Sequence, residues 1–347
     1  MDKKKITILD IAKRLGVSAA TVSNALTGER YVKKETIERV KKMVAEMDYS
    51  PNMIARALRG KKRNIVGLIT SNISNPFYGE VISGVEDIMS KNDYILVVNS
   101  TRFNRDTEIK VLRQMMNLLI DGLIFLGGSC GFSHIDNMVP SHVPMVFLNR
   151  KTANSRHTDI TVDYRKAVKN IISFLVKNGH RKIGYAGWKN DSAMIPLEKF
   201  SGYLEGLKEQ GIEKDDKMVF LKDDVPIREF REFREYVKHI YPVMGKEGVT
   251  ALVSQSDPIA LGLLEGLRST GLKVPEDVSI TGIGNIDQSK TSFPPLTTVH
   301  IPKIRMGRFG AEVLLDLIKK GENRKQVIHL KTTLIKRDSV RDIAKQG

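Results

Sequence analysis

No stretch constrains this chain more than Thr7 to Leu26, TILDIAKRLGVSAATVSNAL, which encodes two short helices and the turn between them. Thr7 and Asp10 stand at capping-box spacing, where a hydroxyl and a carboxylate satisfy the free N–H groups of a helix start. Ile8, Ile11, Ala12 and Leu15 then recur at helical spacing and make one apolar face. Gly16 is the left-handed residue that ends this helix. Val17 fills the gap behind it, and Ser18 caps a second helix, Ala19 to Leu26. Val22, Ala25 and Leu26 face inward. Ala19, Ala20, Thr21, Ser23 and Asn24 are small or polar, which leaves an outer surface slim enough for a DNA major groove. Spacing alone does not separate this unit from a plain helical hairpin.

The next segment and the charge distribution do. Ile37, Val40, Val44 and Met47 mark a third helix, with Lys34, Arg39, Lys41 and Lys42 on its outer side. Residues 1–63 hold 16 Lys and Arg against 7 Asp and Glu, a net of +9 out of +16 for all 347 residues. More than half the excess charge therefore sits in under a fifth of the chain. A basic run is commonly just a solvated face, but here it coincides with the helix pair, and phosphate binding is the better reading.

Several linked motifs then carry a resemblance. Thr7-x-x-Asp10-Ile11-Ala12 with Gly16-Val17-Ser18-x-x-Thr21-Val22-Ser23-x-x-Leu26 resembles the N-terminal signature of the LacI/GalR family of bacterial transcription regulators. Tyr49-Ser50-Pro51-Asn52-x-x-Ala55-Arg56-x-Leu58 resembles that family's hinge helix. The likeness runs on through Pro294-Pro295-Leu296-Thr297-Thr298-Val299 to Leu334-Ile335-x-Arg337-Asp338-Ser339. It implies a DNA-binding head in which Thr7, Ser18, Ala19, Ala20, Thr21, Ser23, Asn24 and Arg30 meet DNA, Ala19, Ala20 and Asn24 facing bases. It also implies hinge contacts from Asn52, Ala55 and Leu58, two such helices pairing in the minor groove with Leu58 as a wedge. Asn can bond an adenine bidentately, and alanine can touch a thymine methyl. The family expectation is a homodimer on a near-palindromic operator in double-stranded DNA, most often as a repressor.

From Ile65 onward, short apolar runs alternate with amphipathic stretches. Strands are expected at 65–69, 94–98, 122–126, 144–148, 182–186, 218–221, 251–254 and 278–281. Helices are expected at 77–89, 107–119, 164–178, 199–210, 227–241, 258–269 and 303–319. This order predicts doubly wound parallel sheets after the all-α helix-turn-helix head, and the resemblance implies two such lobes of the periplasmic-binding-protein type. The expected division is 1–49 for the head and 50–63 for the hinge and linker. Residues 64–162 with 293–325 make the first lobe, and 163–292 with 326–340 the second. Three crossovers would join the lobes, with Phe293-Pro294-Pro295 resembling the return to the first.

Strand ends plus the resemblance nominate cleft residues. Phe77 and Tyr78, in Asn75-Pro76-Phe77-Tyr78, match effector-facing aromatic positions. Asp257 matches an acidic residue that holds ligand hydroxyls, with an N-cap role as its plainer alternative. Asn149 and Asp163 are nominated on the same grounds. Two departures from the family pattern stand out. Lys199 occupies a position where many members carry Arg, and it cannot grip a ligand bidentately. Lys at this position occurs in a branch that answers to a phosphorylated carrier protein. Gly284 replaces a side chain that often contacts the effector. Together they favour a small or anionic ligand among sugars, sugar phosphates and sugar acids, or control by a phosphorylated carrier protein.

Other chemistry has no foothold. Seven histidines are scattered without ligand spacing, and Cys130 is alone, so neither a metal site nor an intrachain disulfide is expected. Gly282-x-Gly284 lacks the third glycine of a dinucleotide fingerprint, and neither a Walker A loop nor a Gly-x-Ser-x-Gly elbow is present. No catalytic set and no cofactor are expected. The charged start, MDKKKITILD, lacks an apolar signal core, and no run of about twenty apolar residues spans a membrane, which points to the cytoplasm. An enzyme with an added helical head and a periplasmic-type binding protein remain as rivals to the regulator.

Overall fold

In the computed structural model, residues 6–27, 30–47, 49, 63–128, 133–150, 157–189, 194–223 and 229–344 are described. The expected hinge helix, with Asn52, Ala55 and Leu58, lies outside them, as does Cys130. The chain divides into two compact units after Arg63.

The first unit holds α1 (Ile8–Leu15), α2 (Ala19–Thr27) and α3 (Lys34–Glu46). Ile11, Ala12, Val22, Ala25 and Val40 form its buried centre, with Leu15, Val17, Leu26, Ile37 and Val44 packed around it. The helix starts are made by side chains. Thr7 Oγ1 accepts from Asp10 N at 3.4 Å while Asp10 Oδ2 accepts from Thr7 N at 2.8 Å, a complete capping box. Ser18 Oγ accepts from Thr21 N at 3.0 Å. Gly16, at φ +67°, turns the chain between them, a conformation only glycine adopts cheaply. Lys33, at the start of α3, supplies no side-chain cap.

The second unit runs β1 (Ile65–Thr70), α4 (Pro76–Lys91), β2 (Ile95–Ser100), α5 (Arg105–Asn117), β3 (Gly122–Leu126), α6 (Ser133–Met138), β4 (Met145–Leu148), β5 (Thr158–Val162), α7 (Tyr164–Lys177), β6 (Ile183–Trp188) and α8 (Met194–Glu209). It continues through β7 (Val219–Lys222), α9 (Glu229–Glu247), β8 (Ala251–Ser254), α10 (Asp257–Ser269), β9 (Ser279–Gly284), α11 (Asp287–Thr291), β10 (Thr297–His300), α12 (Lys303–Lys320), β11 (Gln326–Leu330) and β12 (Thr333–Ile335). One sheet has the order β2-β1-β3-β4-β5-β11, the other β7-β6-β8-β9-β10-β12. Among the described strands every pairing is parallel except β10 with β12. The runs VGLIT, GLIFL and SITGIG are buried along their length, which is why they read as continuous rather than alternating apolar segments.

Both sheets share the doubly wound order in which the order of strand addition reverses beside β1 and beside β6, and such reversals open a crevice at the carboxyl ends of the strands. Helices α4 and α12 pack backbone on backbone. A β-carbon on Gly307 would stand 2.0 Å from the Val81 carbonyl oxygen, and one on Gly84 2.2 Å from that of Ile304.

Two boundaries differ from the expected ones. Thr297–His300, placed by sequence in the first lobe, pairs with Thr281–Gly284 in the second sheet. The crossing therefore comes at Ile301–Pro302 and not at Phe293–Pro295. Gln326–Leu330, expected in the second lobe, joins the first sheet beside Thr158–Val162, and only Thr333–Ile335 reaches the second. Strand propensity cannot say which of two sheets has the open edge. Helix α9 also passes Pro242 and ends at Glu247 rather than Tyr241.

Candidate functional site

On the head, α2 presents the residues nominated for base contact. Ala20 is exposed and Asn24 half-exposed, whereas Ala19 packs partly against the head's own centre. Ser18 and Thr21 are joined through their hydroxyls at 2.8 Å, so the cap fixes the pitch at which α2 leaves the turn. Arg30 and Tyr31 are exposed beside it, and Tyr31, not singled out by sequence, is 93% accessible. Lys34, Lys41 and Lys42 project from α3. Arg39 is exposed on that surface as expected and also reaches the Leu15 carbonyl at 3.4 Å, a cation on the negative end of α1. Slim, partly polar α2 flanked by lysines is a surface that can enter a groove while cations sit on its phosphate walls.

In the second unit, a cavity opens where strands of both sheets end. From the first lobe it is lined by Asn75, Phe77, Tyr78, Phe103 and Asn149. From the second it is lined by Tyr164, Trp188, Lys199, Glu229 and Gln255. Asn75 caps α4, accepting from Phe77 N at 3.0 Å, and so aims Phe77 and Tyr78 at the cavity, their rings edge-on at 5.5 Å. Burial pushes the Tyr78 hydroxyl up to about 12, so it stays a neutral donor and acceptor. Asn149 sits at φ +49° after β4, and its Oδ1 accepts from the Tyr164 hydroxyl.

Lys199 enters on α8. Its stem is half-buried and its ammonium enclosed, donating to the Gln255 carbonyl at 2.9 Å and lying 4.8 Å from the centre of the Tyr164 ring. Desolvation lowers its pKa to about 8 against the pull of Glu229 and Asp257. Glu229, at the start of α9, is raised by burial while Ser256, which donates to it at 2.6 Å, and Lys199 favour its charged form. Beneath Gly128, Arg150 pairs with Glu108 at 3.3 Å, both buried. A β-carbon on Gly128 would meet the guanidinium at 2.6 Å.

Two nominated residues do not face the cavity. Asp257 is completely buried behind it, with Oδ1 accepting from Thr298 Oγ1 at 2.5 Å and Oδ2 from Ile286 N at 2.9 Å. It is not the N-cap either, because Ser256 holds that position. Its carboxylate welds α10 to the second sheet, and Gly282 leaves it room: a β-carbon there would stand 2.3 Å from Oδ1. Asp163 caps α7, accepting from Lys166 N at 2.9 Å on the exposed side. Sequence reading missed Glu229, Trp188, Gln255 and Arg150. The last two directly follow Ser254 and Asn149 at strand ends, which was the available signal.

A tie between the lobes lies at the second crossover. Lys303 Nζ, buried, donates to the carbonyls of Gly284 at 2.7 Å and Asn285 at 2.8 Å and stands 3.3 Å from Glu80 on α4. Arg337 donates to Asn285 Oδ1 at 2.6 Å from the third crossing.

A basic three-helix head and a separate two-lobed core with a cleft at its strand ends define a DNA-binding protein that carries its own ligand-sensing domain. Residues 7–52 match the bacterial regulatory proteins of the lacI family, and residues 172–340 match the periplasmic binding protein-like domain. Catabolite control protein A of Priestia megaterium is 30% identical over 94% of this chain and 96% of its own length. The transcriptional repressor PurR of Aliivibrio salmonicida is 31% identical over 96% and 98%. The lac repressor dimer bound to operator and the anti-inducer ONPF has the same fold, with a TM-score of 0.82 at 23% identity over 97% of this chain and all of that one. The chain belongs to the LacI family of transcription regulators. It is a DNA-binding regulator with an effector-binding core, not an enzyme. No described helix is long and apolar enough to cross a membrane, and no described cluster of His, Cys, Asp and Glu has the makings of a metal site.

Proposed function

We propose that this regulator represses transcription in the cytoplasm as a homodimer on a near-palindromic operator, and that an uncharged, polyhydroxylated ring compound in the cleft controls it. The observation that carries the ligand class is internal charge compensation. Lys199 is answered by Glu229 and the Gln255 carbonyl, Arg150 beneath the wall is answered by Glu108, and aromatic and aliphatic side chains make up most of the remaining lining. An anion would have to compete with Glu229 for Lys199. A neutral ring can lay its apolar face on the aromatics and exchange hydrogen bonds between its hydroxyls and the amides of Asn75, Asn149 and Gln255. This reverses the inference toward an anionic ligand drawn from Lys199 and Gly284. Asn24 and Ala20 read bases, and Arg30, Lys34, Lys41 and Lys42 hold phosphates.

Dimerisation has a candidate surface. Phe293, 86% exposed, borders an open groove with Leu261, Leu264 and Arg268 of α10, and a second copy related by two-fold symmetry suits both that groove and a palindromic site. Phe293→Asp is expected to yield monomers in sedimentation velocity with an intact far-UV spectrum, and an unchanged dimer removes this surface.

The decisive experiment selects bound DNA from genomic fragments and then titrates the protein–operator complex. The ligands are neutral sugars, sugar phosphates, sugar acids and a phosphorylated carrier protein. A change in operator affinity caused by neutral sugars is the expected result. By linkage, a ligand that weakens DNA binding must bind the DNA-bound state less tightly. Response to sugar phosphates or acids alone, or to the phosphorylated carrier alone, overturns the neutral-ligand reading.

A further inference from the structure

The loop from β2 to α5 folds in an unusual way for its residues. Asn104 N donates to the Thr101 carbonyl at 3.0 Å and closes a tight turn whose central residues, Arg102 and Phe103, lie at φ +52° and +59°. Positive φ at both centres is the mark of mirror-image turns, which Asn-Gly and Gly-Gly normally build. A bulky side chain there is strained, and such strain persists only where the surroundings impose it. The surroundings are firm. Thr101 N donates to the Thr70 carbonyl at 2.8 Å, and Asn104 caps α5 by accepting from Thr107 N at 2.8 Å.

The turn delivers one ring across the cleft. Phe103 comes from the first lobe but packs against the apolar cluster of the second, its ring 5.8 Å from that of Trp188 at 65°. Trp188 is itself clamped: its backbone exchanges hydrogen bonds with the Gln255 amide at 3.2 and 3.3 Å. Both rings line the cavity. At this separation nothing fits between them, so a ligand lies below the pair.

We propose that Phe103 is a specificity-determining cap, held over the cavity on Trp188 by a strained turn, which must lift for ligand access and which limits the ligand to a single ring. The single-ring limit rests on the reading of the cleft as a sugar-type effector site, while the cap itself does not.

Trp188 is the sole tryptophan, so its fluorescence in the full-length protein reports the contact with no ligand present. Acrylamide should quench the wild type weakly, quench Phe103→Ala and Phe103→Gly several-fold more strongly, and leave Arg102→Gly at the wild-type level. Glycine adopts this φ without strain, so the Phe103→Gly protein keeps its fold, which an unchanged circular-dichroism melt verifies. Calorimetry with ribose, glucose and maltose on the same proteins reads the size limit, and Phe103→Gly should gain maltose affinity relative to the two monosaccharides. Unchanged quenching in both Phe103 variants overturns the cap. Raised quenching with an unaltered preference among the sugars overturns the size limit. Raised quenching with no sugar bound by any variant supports the cap and overturns the sugar reading of the cleft.

Discussion

Lys199 Nζ donates to the backbone carbonyl of Gln255 at 2.9 Å, which holds an enclosed ammonium at the end of the β8 strand and within the field of Glu229. Removing one member of such a pair strands the other. Lys199→Met should destabilise the core by about 3 kcal/mol in denaturant unfolding, and adding Glu229→Gln should restore much of it, because breaking a buried pair costs more than replacing it. Additive losses in the double variant would show that the two groups act separately.

The same pair sets a pH dependence. Lys199 titrates at about 8 when folded and at 10.5 ordinarily, so the unfolded chain binds more protons between those values. Its contribution to stability therefore rises with pH across that window, by at most about 1.4 kcal/mol per pH unit. Glu229, raised when folded, works in the opposite sense: its contribution is greatest below its ordinary pKa and falls as pH rises through the raised one. The stability gap between wild type and Lys199→Met should shift toward the wild type from about pH 8 to 10.5. A gap that stays flat across that range contradicts the depressed Lys199 pKa.

On the head, Asn24→Ala should relax discrimination at one base pair in each half-site by roughly 1–3 kcal/mol, read by competition among operator variants. Uniform weakening across all variants would instead assign Asn24 to the backbone. Thr7→Ala removes one half of a capping box and should cost about 1 kcal/mol of head stability, seen as earlier local exchange of the α1 amides.

At the crossover, Glu80→Gln removes the first-lobe partner of Lys303 while leaving both of its carbonyl partners in place. It should change the factor by which ligand alters operator affinity, a coupling of typically about 1–3 kcal/mol, with little change in the core's melting temperature. An unaltered coupling factor would make the Glu80 contact merely local.

What was legible in the sequence follows from how local the interactions are. Thr7, Asp10, Gly16 and Ser18 act within one turn of where they stand, and each does in the structure what its spacing requires. Most of the alternation of β1 through β9 with helices is likewise written in local apolar pattern, but β5 and the short α6 were not among the expected elements. Sheet membership of Thr297–His300 and Gln326–Leu330 was hidden because it depends on partners some sixteen residues away in one case and far more distant ones in the other. The cleft was half legible: strand ends pointed to Phe77, Tyr78, Asn149 and Lys199, but whether a carboxylate faces a cavity or a core is a packing fact. Asp257 turned inward because Thr298 and Ile286 met it there. Phe103 had no signal at all, since nothing in Thr-Arg-Phe-Asn suggests a mirror-image turn.

The late position of β11 and β12 has a consequence for synthesis. The head draws its centre from residues 8–49, so it can assemble as soon as that segment leaves the ribosome. Each sheet of the core, by contrast, receives its last strand from residues 326–335. During translation, a nascent regulator thus has a finished reading head long before either lobe has its full sheet.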